Sequence, residues 1–196
     1  MKPTVEKPSE NVMKFFTPEL YIRFNSEDEA VSDQADEEWD HAVEEYEKHL
    51  EKLGGFVTRI ADRLEAVGMH DAEFLNNSRN LIDMETHIRM RHEFFPFWMN
   101  VLIMSFKQEG KIISLNYIHW DEARVYPALD TWRFSKKRSH WLYDEIDASP
   151  RGQSESFVHR ILLSDGCIFE IPFGDLLIHE IRLAPLKESL PEYPAD

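Results

Sequence analysis

The hydrophobic period of this chain changes once, and the change falls at Gly68. Before it, apolar residues recur at Trp39, Val43, Tyr46, Leu50 and Leu53, then at Phe56, Val57, Ile60, Ala61, Leu64 and Val67. Steps of three and four place such residues on one face of a helix. After Gly68 the apolar residues gather in short runs rich in Ile, Val and Phe, separated by turn residues, as in strands. Helices first and hairpin-linked strands afterwards, with no alternating strand–helix series, predict an α+β fold: N-terminal helices followed by an antiparallel β-sheet of about five or six strands.

Local signals fill in this outline. Thr17-Pro18-Glu19 starts a short helix through Phe24, with Thr as cap, Pro in the first turn and an acid at the positive end. Ser32 caps a second helix whose first turns hold Asp33, Asp36, Glu37 and Glu38. Gly54-Gly55 interrupts it, and a third helix runs to Gly68. Strands are expected over residues 96–106, 111–118, 157–163, 167–173 and 176–183, with 69–75 and 140–146 as further candidates, a turn at Asn76-Asn77-Ser78 and a hairpin around Gly110. Residues 119–139 read as a long loop with one short strand. The organisation is a flexible arm (1–14), an acidic helical segment (15–68), a β-rich part (69–183) and an extended tail (184–196), all in one unit.

Charge narrows the choice of function. The net charge is −15, divided as −9 over residues 1–53, −1 over 54–82, +2 over 83–140 and −7 over 141–196. A net-negative chain is repelled by nucleic acid and by anionic membranes, so neither is an expected partner. No apolar run approaches a membrane span, and no apolar leader opens the chain. The single cysteine, Cys167, fits a reducing compartment, and cytoplasm is the expected location.

Each group of residues with chemical potential has a plainer reading beside it. Glu38/His41 and Glu45/His49 have helical metal-ligand spacing, but di-metal bundles need a second such motif, so a solvated face is the better reading. His70 and Asp71, following Gly68, supply a base or metal ligands, with His87, His92, Asp83 or Glu85 as partners; capping and structural hydrogen bonds are the plainer role. Cys167 lacks a cation to activate it, and glycine motifs for nucleotides or a serine nucleophile are absent. The stretch from Trp132 to Trp141 interleaves basic and aromatic residues, which fits a loop docked against the acidic helix better than a nucleic-acid surface. The exposed helix face carrying Asp36, Glu37, Asp40, Glu44, Glu47 and Glu51 is suited to steering a basic partner. No cofactor is expected.

The segments His140–Asp147, Phe157–Gly166 and Phe169–Phe173, with Met69–Ala72 and Phe15–Leu20, resemble stretches of small, uncharacterised bacterial proteins. The strand pattern also resembles in style bacterial toxin-immunity and adaptor-like proteins; neither resemblance implies an activity. The expectation is a non-enzymatic protein-interaction protein with a protein partner, or a homo-oligomer. It would bind through Asp36, Glu37, Asp40, Glu44, Trp132 and Trp141. The alternative is a small metal-dependent hydrolase built on His70 and Asp71, with His87 and His92 as further ligands.

Overall fold

The computed structural model describes residues 12–83, 98–119, 122–134, 138–150 and 157–183, with the backbone alone at 78–83 and 98–100. Thr17 caps helix α1 (Pro18–Phe24), its hydroxyl accepting from the Leu20 N–H at 3.2 Å. Helix α2 (Glu29–Leu53) starts ahead of Ser32, because the Asp28 carboxylate accepts from the Ala30 N–H at 3.1 Å and forms the cap. Ser32 Oγ instead donates to the Phe24 carbonyl and ties α2 to α1. Gly54 has φ +97°, a conformation that costs other residues a clash, and this single residue separates α2 from α3 (Gly55–Val67).

Among the described residues, eight strands follow. They are β1 (Glu73–Asp83), β2 (Trp98–Gln108), β3 (Lys111–His119), β4 (Arg124–Tyr126), β5 (Trp141–Ala148), β6 (Phe157–Leu163), β7 (Ile168–Phe173) and β8 (Asp175–Arg182). The class is α+β as expected, but the strands divide between two antiparallel sheets, ordered β1-β2-β3-β8 and β4-β7-β6-β5. The expected turn at Asn76-Asn77-Ser78 is strand: Asn76 pairs with Ser105 and Asn77 with Met104, after a bulge between Phe74 and Asn76. Pairing across the long β2 outweighs the weak strand preference of asparagine there. The hairpin turn at Glu109-Gly110 and the short strand inside 119–139 are present.

The sheets face each other across one core. Leu102, Met104, Phe106, Ile113, Leu115 and Tyr117 of the first sheet meet Ile146, Ile161, Leu163, Ile171 and Phe173 of the second. Ring contacts cross the gap: Phe106 to Trp141 at 5.2 Å, Phe74 to Phe169 at 5.5 Å and Tyr117 to Phe173 at 6.0 Å. Helix α3 adds Val57, Ile60, Leu64 and Val67 to this core, and Arg63 donates to the Ile178 carbonyl on the edge strand β8 at 2.8 Å. The second sheet has a second apolar layer on its far side, where Leu142, Leu162 and Ile168 meet Met13, Phe16 and Trp132. Helix α2 closes that layer with Trp39, Ala42 and Tyr46. One sheet therefore has both faces covered, which explains the near-continuous burial along β6.

Residues 12–14, assigned to the flexible arm, are docked: Met13 is fully buried, and the N–H groups of Lys14 and Phe15 both donate to the Glu145 carboxylate at 2.9 Å. The tail from residue 184 lies outside the described residues. Among the described residues, no helix is long and apolar enough to cross a membrane.

Candidate functional site

Helix α2 presents two opposed stripes. Its inner side holds Ala35, Trp39, Ala42, Tyr46, Leu50 and Leu53, of which Ala35 alone is fully buried. Its outer side holds Asp33, Glu37, Asp40, Glu44, Glu47 and Glu51, stepping by four, three, four, three and four residues, and every one is exposed. Asp36 lies beside this stripe and is exposed as well. At 1.5 Å per residue the stripe runs about 27 Å. Lys48 is 3.8 Å from Glu44 and 3.2 Å from Glu45, whose carboxyl it holds below the usual range. Among the described residues, no ion pair forms at Asp33, Asp36, Glu37, Asp40, Glu47 or Glu51. Like charges three or four apart cost a helix about 0.2–0.5 kcal/mol per pair, so the stripe opposes folding.

Glu38 and His49 of α2 have neighbours of their own. Glu38 pairs with Arg23, whose hydrogen bond depresses its carboxyl pKa. His49 turns toward the sheet, with Nε2 3.1 Å from Asp147 Oδ1 but off the hydrogen-bond direction. Glu38, His41, Glu45 and His49 thus do not converge, and among the described residues no three His, Cys, Asp or Glu side chains are grouped to hold a metal ion.

Trp132 and Trp141, expected at the interaction surface, lie inside the protein, 5% and 1% exposed. Trp132 stacks on Tyr21 of α1 at 5.4 Å and donates from Nε1 to the Ser164 carbonyl at 3.2 Å. Gly166 lies against this ring: a Cβ there would sit 2.7 Å from Trp132. Trp132 and Phe134 of this loop thus dock on Tyr21 of α1, and Arg138 pairs with Glu73 at 3.2 Å; residues 135–137 lie outside the described residues. Trp141 enters the main core because a bulge between Trp141 and Tyr143 turns both Leu142 and Tyr143 to the far side. Aromatic density in the sequence marked these residues without revealing which way the strand faced.

His70 and Asp71 are placed side by side on the surface, with side chains 59% and 76% exposed and His70 Nε2 3.7 Å from Asp71 Oδ2. His70 Nδ1 donates to the Leu142 carbonyl at 2.9 Å, since a carbonyl can only accept. His87 and His92 lie outside the described residues. Cys167 is half-buried in the turn before β7.

Two polar networks had been missed. On the far side of the second sheet, Arg160 is held between Glu170 Oε2 (3.1 Å), Glu145 Oε1 (3.3 Å) and Asp147 Oδ2 (3.4 Å), and Lys14 pairs with Asp147. Burial pushes Glu145 up, against the N–H bonds from Phe15 and Lys14 and the Arg160 charge. Burial also pulls Asp147 upward, but Lys14, the Ala148 N–H and Arg160 together leave it lowered. Between the sheets, His159 is fully buried; its Nε2 donates to Asp144 Oδ2 at 2.9 Å, and its Nδ1 accepts from the Tyr117 hydroxyl at 2.8 Å. Trp141 Nε1 donates to Asp144 Oδ1 at 3.1 Å. Burial, then the Asp144 charge, pushes the Tyr117 hydroxyl well above its ordinary pKa, so it stays a donor. The sequence signal for both networks was the pair His159-Arg160 inside an otherwise apolar strand, since a charge there needs a buried partner.

A cavity of about 590 Å³ lies apart from all of these, between α3 and β8, bounded by Phe56, Arg59, Arg63, Asp175 and Leu177. No family model, no curated protein and no solved structure matches this chain.

Proposed function

We propose that this protein is a non-enzymatic binding protein that holds a basic protein partner on the outer face of α2. The observation that carries the reading is the acidic stripe from Asp33 to Glu51, in which, among the described residues, Glu44 alone has an ion-pair partner, Lys48. A helix needs polar residues on its solvent side, but interspersed charges would meet that need without mutual repulsion. A like-charged stripe on a rigid helix instead supplies long-range steering and a complementary surface for cations. The inner stripe fixes the helix on the second sheet, so the carboxylates are presented on a firm base.

Electrostatic association is sensitive to salt, because the screening length shrinks from about 10 Å at 0.1 M to about 3 Å at 1 M. The immobilised protein is expected to retain from source lysate, at low salt, a partner with a net basic surface, and to release it as salt is raised. Retention that is indifferent to salt, or a partner without a basic surface, contradicts the reading.

A further inference from the structure

We propose that His70 and Asp71 form a two-residue site for a zinc-class divalent cation, with water filling the remaining positions. The pair is built to hold its geometry. Five hydrogen bonds fix the turn from Met69 to Ala72: Asp71 N–H to the Trp141 carbonyl (2.8 Å), Trp141 N–H to the Ala72 carbonyl (2.9 Å), Ala72 N–H to the Met69 carbonyl (2.9 Å), Gln108 Nε2 to the His70 carbonyl (2.9 Å), and His70 Nδ1 to the Leu142 carbonyl (2.9 Å). The His70 ring also rests on Tyr143, 5.6 Å between centroids.

The bond from Nδ1 decides the tautomer. It leaves the lone pair on Nε2, which is exposed, and it is the backbone-carbonyl support that metal-bound histidines commonly have. Two ligands about 2.0–2.1 Å from a tetrahedral ion lie about 3.4 Å apart. His70 Nε2 and Asp71 Oδ2 are 3.7 Å apart, so a small torsion of the exposed carboxylate brings both onto one ion. Asp71 has φ +62°, rare for a residue other than glycine, and this backbone aims its side chain beside His70. An imidazole nitrogen with a carboxylate selects zinc, nickel or cobalt over magnesium and calcium. The plain alternative is a surface ion pair, and it predicts no metal binding.

Zinc titration of the full chain by calorimetry, after purification without chelator or affinity metal, tests this. One saturable site is expected, with affinity reduced about tenfold or more in both His70→Ala and Asp71→Asn. Asp71→Asn keeps a residue that tolerates the left-handed backbone, so its loss reports the carboxylate rather than the fold. His179→Ala, altering an exposed histidine on β8, leaves the affinity unchanged. Nitrogen-15 spectra of the imidazole should show zinc on Nε2 of His70. No saturable binding up to millimolar zinc overturns the proposal, as does binding that survives Asp71→Asn.

Discussion

Arg160→Ala is expected to destabilise the protein by about 3–5 kcal/mol at neutral pH, because it leaves buried carboxylates without their shared cation. Glu145 is 1% exposed and Asp147 7%, so water cannot replace the guanidinium. The loss approaches the whole stability of an ordinary domain, about 5–15 kcal/mol. Its pH dependence carries a definite sign. Glu145 is raised in the folded state, so its contribution is present below its ordinary value of 4.5 and is lost as pH rises through the folded value. Asp147 is lowered, so its contribution is present above its ordinary value of 3.8 and is lost as pH falls through the folded value. Removing Arg160 takes away a cation that holds Glu145 down, and drives Glu145 further up. The deficit of the variant should therefore shrink as pH is lowered from neutral toward 4.5. Urea melts of both proteins across that range measure it, and a deficit that grows with acidification would be the wrong sign.

Trp141→Ala should cost about 3–5 kcal/mol as well, for a different reason. The indole joins the two sheets, touching Phe106 at 5.2 Å and His159 at 5.6 Å, and its truncation opens a cavity between them. It also removes the N–H that Asp144 accepts, at the open end of the chain running through His159 to Tyr117. Trp141→Phe keeps most of the volume and loses only that hydrogen bond, so its cost should be near 1 kcal/mol. Equal melting temperatures for Trp141→Ala and the parent would place the residue outside the core.

Much of the fold was legible because periodicity and punctuation agree. Thr17-Pro18, Gly54, Gly68 and Glu109-Gly110 each end or start an element where local chemistry requires it. The division into two sheets was not legible, since strand signals do not state which strands pair. The bulge in β5 was hidden for a related reason: Trp141-Leu142-Tyr143 reads the same whichever residue turns inward. The aromatic-rich stretch pointed Trp132 and Trp141 to the surface, while tertiary packing takes both inside. Exposure of the acidic face was readable from helical spacing alone. The salt-linked cluster was not, because Lys14, Glu145, Arg160 and Glu170 come from four separate segments. His70 and Asp71 were visible as neighbours in sequence, but the support from Leu142 and Trp141 depends on β5 crossing beside the turn.

The most direct test of the binding account uses one variant, Glu37→Gln with Asp40→Asn, Glu44→Gln and Glu47→Gln, compared with the parent in a thermal melt and in partner capture at low salt. Relief of the like-charge contacts should leave the melting temperature equal or higher, at about 0.2–0.5 kcal/mol per relieved pair, while capture of the basic partner is lost. A variant that melts lower, or that retains the same partner as the parent, would show the stripe to be a solubilising surface and contradict the account.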